Sequence, residues 1–144
     1  MSPKRRSPSR PRLVTAADTR ALLAAARTAR RKAHAPYSGF QVGAAVLDET
    51  GRVHAGCNVE NASFGLTICA ERSAVTAAVT AGAHAILAVA VVTSSRPPAA
   101  PCGACRQVLA EFANDDALVL LAGPTGSPVE RRLGELLPDA FRLA

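Results

Sequence analysis

At 144 residues, with 49% hydrophobic and 19% charged side chains, the chain has the size and composition of one soluble domain that can bury a core without disulfide staples. Its longest apolar stretch, residues 85–92, is too short to span a bilayer, and four irregularly spaced cysteines do not make a disulfide framework, so a reducing, cytoplasmic setting is expected. The net charge of +6 argues against a nucleic-acid-binding body: Lys4, Arg5, Arg6, Arg10 and Arg12 supply five of it, leaving about +1 for the rest.

Residues 1–14 are basic, polar and rich in proline, and are expected to form a disordered tail ahead of a single domain at 15–144. No apolar run follows the basic residues before Asp18 and Arg20, so the pattern is not that of a secretory signal. Thr15 is the expected N-cap of a helix over residues 15–34, stopped by Pro36, with Leu22, Leu23 and Ala26 at helical spacing. Residues 36–39 make a turn. Residues 40–47 and 52–58 then form an antiparallel pair across the short connection 48–51.

Residues 59–67 are loop-like and 69–81 helical up to Gly82. Residues 85–93 form a strand buried on both faces, and 94–101, with three prolines, are irregular. A helix over 102–114 turns Val108, Leu109 and Phe112 inward. Strands at 118–122 and 129–132 and a helical turn at 133–137 complete the chain. The two strand–helix units imply a parallel crossover, whereas the short 123–128 turn requires the last two strands to be antiparallel. The expected fold is α/β: a single three-layer domain with a mixed five-stranded sheet between helices.

The chemistry concentrates in Cys69-Ala70-Glu71-Arg72 and Pro101-Cys102-Gly103-Ala104-Cys105-Arg106-Gln107. Cys-x-Glu followed by Pro-Cys-x-x-Cys is the ligand and acid/base signature of zinc deaminases. Three thiolates bind Zn²⁺ and leave a fourth position for water. Cys102 and Cys105 share one face at a helix start, and Cys69 begins another helix; dipoles and free N–H groups at both ends stabilise thiolates. Arg72 and Arg106 are candidate donors near the sulfurs, withdrawing charge from them. Glu71 is the candidate catalytic residue, taking a proton from water and passing it to a ring nitrogen and the departing amine.

Two rival arrangements use the same cysteines. Cys102 and Cys105 alone have the spacing of a thioredoxin-like redox pair, which leaves Cys69 and Glu71 without a role. Cys57 could instead close a four-cysteine structural zinc site and make the protein a non-enzymatic module. His34, His54 and His84 have no ligand spacing and are expected at the surface.

Five blocks in order resemble the small homotetrameric cytidine deaminases. They are residues 36–45 (from Pro36-Tyr37-Ser38-Gly39-Phe40), Gly56-Cys57-Asn58-Val59-Glu60-Asn61-Ala62, the two cysteine motifs, and Glu135-Leu136-Leu137-Pro138 with Phe141. The resemblance covers about residue 16 to the C-terminus. It implies that Asn58 and Glu60 bind ribose, that Phe40 lines the base pocket, and that the Ala70 backbone reads the pyrimidine edge. It also implies that Phe141 closes over the base of a neighbouring subunit, in a homotetramer with shared active sites and one Zn²⁺ per subunit. Phe64 matches a position near subunit contacts. The expected reaction is hydrolytic deamination of cytidine or 2′-deoxycytidine in pyrimidine salvage. A related alternative is a cytosine-bearing antibiotic such as blasticidin S. Relatives acting on tRNA or single-stranded DNA resemble one another in having a helix and a parallel strand where this chain has only 123–128. The expected substrate is therefore a free nucleoside, not a nucleic acid.

Overall fold

The computed structural model describes residues 12–143; the basic tail up to residue 11 lies outside the described residues. Arg12, counted with that tail, forks onto Asp18 at 2.8 and 3.1 Å. The first helix, α1 (Ala16–Arg30), opens with a capping box: Thr15 Oγ1 accepts from the Asp18 amide, and the Asp18 carboxylate accepts from the Thr15 amide. It ends four residues short of the expected His34. The His34 amide donates instead to the Asn58 carbonyl, and its carbonyl accepts from Glu60, so this stretch is drawn into a bridge with Val59.

The five strands are β1 (Gly43–Asp48), β2 (Val53–Cys57), β3 (Ile86–Val92), β4 (Leu118–Ala122) and β5 (Val129–Arg132), in the sheet order β2-β1-β3-β4-β5. Only β3 and β4 are parallel; β4 and β5 pair antiparallel across the short turn, as expected. Three further helices are α2 (Ala70–Thr80), α3 (Gly103–Phe112) and the single turn α4 (Leu133–Leu136). Among the described residues no helix is long and apolar enough to cross a membrane.

Alternation along the central strands divides the core in two. Ala44, Val46, Val89, Val91, Val119 and Leu121 pack against α2, α3 and α4. Ala45, Leu47, Ala88, Ala90, Val92 and Leu120 pack against Leu22, Leu23 and Ala26 of α1. The abundance of alanine allows close approach, and two glycines mark where even a methyl is too much. A Cβ on Gly43 would lie 2.0 Å from the Ala26 carbonyl oxygen of α1, and one on Gly56 2.5 Å from the Ala74 amide nitrogen of α2.

One histidine departs from expectation. His54 is not a surface residue: it is opposite Val46, its side chain is 11% exposed, and its Nε2 lies 2.8 Å from Oδ2 of the wholly buried Asp48. That carboxylate also accepts from Thr50 and the Arg52 amide, so a strand-end Asp and a histidine stitch the hairpin from inside. Burial opposes the charge on Asp48, but these hydrogen bonds, His54 first, hold its carboxyl well below the ordinary range.

Candidate active site

Strand register brings the candidate residues to one end of the sheet. Gly43, at the start of β1, is opposite both Cys57, which ends β2, and Val92, which ends β3. Beyond Val92 the chain runs through the proline segment to Cys102. Beyond Cys57, Val59 and Ile68 exchange two backbone hydrogen bonds, so the residues flanking Asn58 and Cys69 lie side by side.

Cys69 and Cys102 are the N-cap residues of α2 and α3, both in extended backbone conformation. Cys105 is one turn inside α3 and fully buried. The three sulfurs lie within 4.8 Å of one another, with Cys102 and Cys105 3.3 Å apart. Cys57 is outside that group, which disfavours the closed four-cysteine site. A redox pair would not need the third sulfur. Three converging thiols at two helix N-termini suit zinc, because the free amides and the positive dipole ends offset thiolate charge.

The electrostatics of the thiols differ. Burial, reinforced by the charge of Glu71 and contact with Cys102 and Cys69, pushes the Cys105 thiol far up. At Cys102 burial acts in the same direction, but donors at Cys105 and Cys69 prevail and hold it below its ordinary value. A divalent cation between them would remove the mutual penalty. Arg72 Nη2 approaches Cys69 Sγ at 3.5 Å and the Thr67 carbonyl at 3.3 Å. The Cys69 sulfur, against the effect of burial, raises the guanidinium pKa further. Arg72 Nε is buried without a hydrogen-bond partner. Glu71 lies in the first turn of α2, 5% exposed, and its charge is felt at both Cys102 and Cys105.

Arg106 behaves differently from Arg72. Its Nε and Nη1 donate to the carbonyls of Pro101 and Leu136, both at 2.7 Å, rather than to sulfur. It braces the approach to Cys102 and docks α4; the expectation of a sulfur donor is corrected to that extent. Carbonyl oxygens are stronger acceptors than sulfur, and two lie within its reach: Pro101 at the entrance of α3 and Leu136 at the end of α4.

Asn58 and Glu60 are both engaged within the chain. Asn58 is 8% exposed, accepts from the Val42 amide and donates to the Phe40 carbonyl, each at 2.8 Å. Glu60 accepts from the amides of Tyr37 and Ser38 and from the Ser38 hydroxyl. Ser38, in turn, accepts from the Phe40 amide. The two polar residues thus fix the 37–42 segment and present Phe40, which stays 40% exposed. Ser38 had no assigned role from sequence; its position two residues before Phe40 was the available signal. Ala70 is fully buried behind Cys69, while Phe141 and Phe64 are 72% and 73% exposed. Phe64 meets Tyr37 edge to face at 5.7 Å.

Residues 16–121 match the family model of the cytidine and deoxycytidylate deaminase zinc-binding region. The chain is 46% identical over 124 residues to a cytidine deaminase of Sporosarcina psychrophila, covering 86% of this chain and 91% of that protein. It is 48% identical to one from Halalkalibacterium halodurans, covering 86% and 94%. The crystal structure of cytidine deaminase from Burkholderia pseudomallei superposes with a TM-score of 0.80 at 50% identity, covering 85% of this chain and 98% of that one. The Mycobacterium tuberculosis cytidine deaminase gives 0.75 at 46%, covering 88% and 98%.

Proposed function

Because the chain belongs to the family of cytidine and deoxycytidylate deaminases, we propose that it hydrolyses free cytidine or 2′-deoxycytidine at C4, releasing ammonia and the corresponding uridine. The observation that carries this is the meeting of three sulfurs from two helix starts within 4.8 Å, with the buried Glu71 in one of the same first turns.

Cys69, Cys102 and Cys105 would hold one Zn²⁺ per subunit. When bound, zinc supplies Lewis acidity and lowers the pKa of water toward neutrality. Glu71 accepts a proton from the attacking water and delivers it to N3 of the ring. It then takes the remaining proton from the hydroxyl now on C4 and gives it to the amine, so that the C4–N bond breaks as the C4 carbonyl forms. One water enters, ammonia departs, and the carboxylate is regenerated. Arg72, beside Cys69, moderates the negative charge of the sulfurs.

Substrate recognition falls to the segment that Asn58 and Glu60 hold. A carboxylate has about four lone-pair sites and Glu60 uses three, while Asn58 keeps one amide hydrogen and one lone pair. That residual capacity suits ribose hydroxyls. Phe40 flanks the base, and the Ala70 backbone faces the pyrimidine edge. Phe141 of a neighbouring subunit closes over the base in a homotetramer, consistent with an aromatic ring left exposed on the single chain. The antiparallel β4–β5 pair supports a free nucleoside rather than a nucleic acid as substrate. Pyrimidine salvage in the cytoplasm is the corresponding role.

The test is loss of ultraviolet absorbance on mixing the zinc-loaded protein with cytidine, deoxycytidine and blasticidin S in turn, together with the Glu71→Gln variant. The variant is expected to keep zinc and to lose about 10²–10⁴-fold in kcat, the usual contribution of a general acid/base. Turnover of neither nucleoside, or an active Glu71→Gln protein, would overturn the assignment.

A further inference from the structure

After α4 the chain runs back along α3 and is fastened to it at successive levels. Arg106 holds the Leu136 carbonyl, and Gln107 Nε2 donates to the Phe141 carbonyl at 2.9 Å. Arg142 Nη1 then donates to the carbonyls of Ala110 and Ala113, and Nη2 to Asp115 Oδ1 at 3.1 Å. Ala110 and Ala113 lie at the C-terminal end of α3, where carbonyls have no helical partner and a cation is favoured by the dipole. The last turn of α3 has no basic residue of its own. Arg142 supplies one from 29 residues away in sequence, measured to Ala113.

These contacts bracket Phe141, whose ring is too exposed to be held by packing within the chain. What fixes it is the hydrogen bond to its own carbonyl and the guanidinium of the next residue, with Ala140 before it packed against the core. We propose that Arg142 and Gln107 are positioning residues for the Phe141 ring: by clasping its carbonyl and its successor to α3, they preset the ring for closure over the base. This rests on the assignment of Phe141 to base closure made above. Helix α3 then has a role at each end, with two cysteine ligands at its start and the anchor of the aromatic lid at its finish.

The experiment is steady-state kinetics with cytidine on the zinc-loaded full chain, with thermal unfolding midpoints for every variant. Phe141→Ala is expected to raise KM about tenfold, the size of one base–aromatic stacking contact. Arg142→Met should raise KM by a comparable factor with a much smaller change in kcat. Arg142→Lys, which keeps a cation at the helix end, should recover part of the loss. The double variant Phe141→Ala/Arg142→Met should be no worse than Phe141→Ala alone, since the clasp acts only through the ring. Gln107→Met tests the same clasp through its other contact should Arg142→Met fold poorly. If Phe141→Ala raises KM while the clasp variants leave it unchanged, or the effects multiply, the clasp is overturned and base closure survives. If Phe141→Ala leaves KM unchanged, base closure itself is wrong and the clasp falls with it.

Discussion

Replacing Gly56 with alanine should loosen the metal centre from a distance. A methyl at this position in β2 would sit 2.5 Å from the Ala74 amide nitrogen, 2.7 Å from Ser73 Cβ and 2.8 Å from the Ser73 carbonyl carbon. Two of these are backbone atoms of α2 and cannot rotate away. To reach the 3.4 Å at which ordinary contact begins, α2 must recede by about 0.9 Å. Cys69 is the N-cap of that helix, whereas Cys102 and Cys105 belong to α3 and would not follow. Zinc–ligand distances tolerate only about 0.2 Å, so the shift should weaken zinc binding by about 10–100-fold, as a mispositioned supporting group does. Overpacking should also cost about 1–3 kcal/mol, or roughly 3–10 °C in Tm for a domain of this size. Gly43→Ala is the control. Its methyl would meet the Ala26 carbonyl oxygen at 2.0 Å and the Arg30 amide at 2.5 Å, on the opposite face of the sheet. It should lose at least as much stability and keep its zinc affinity. Chelator competition and calorimetry on both proteins decide the matter. Equal zinc retention in Gly56→Ala and the parent, or equal loss in the two variants, would refute the idea that seating α2 on β2 positions Cys69.

Two further expectations follow from the same geometry. Cys57→Ser should retain one zinc per subunit and most activity, while serine at Cys69, Cys102 or Cys105 should lose the metal; elemental analysis of the four proteins checks this. Asp18, held at about 2 by its hydrogen bonds with Arg12 first and Thr15 next, stabilises the fold through a depressed pKa, so its contribution is full above the ordinary value of 3.8 and disappears as pH falls through about 2. The Tm gap between the parent and Asp18→Asn, measured from pH 6 downward, should therefore close toward pH 2; a gap that stays constant would show that Asp18 acts without its charge.

Much of this was readable in the chain because local and tertiary preferences agree. The β4 and β5 boundaries match expectation, since turn residues flank both and nothing competes for their backbone. The Cys-x-Glu and Pro-Cys-x-x-Cys motifs announced the sulfur cluster because zinc geometry constrains ligand type and spacing more tightly than packing does. What escaped were partners chosen across long sequence separations. Strand β1 was expected from Phe40 but begins at Gly43, because the Asn58 side chain takes the Val42 amide and Phe40 carbonyl in place of a strand neighbour. α1 stops early because the backbone around Asn58 captures His34. Arg106 and His54 each carry a side chain whose alternatives are equal on paper. Only the fold brings the Leu136 carbonyl to one and the buried Asp48 to the other. The clasp by Gln107 and Arg142 spans 34 and 29–32 residues and leaves no periodic trace.

The helix starts expose a conflict between stability and chemistry that can be measured. Helices favour Ser, Thr, Asp or Asn at the N-cap, as Thr15 does for α1, yet α2 and α3 both begin with cysteine. The metal would supply the compensation, since binding free energy that requires the folded site is folding free energy. Cys102→Ser isolates the exchange: the side chain is nearly isosteric and neutral, and its hydroxyl can accept from the first-turn amides of α3. In metal-free protein the substitution should raise stability by about 1 kcal/mol, roughly 3–4 °C in Tm. With zinc in excess the order should reverse, because only the parent gains the full binding energy. Thermal unfolding of both proteins, with and without zinc, supplies the four numbers. A metal-free Cys102→Ser protein no more stable than its metal-free parent would mean that α3 loses nothing by starting on a thiol, and that the cysteine caps are not held in place by the metal at the expense of the helix.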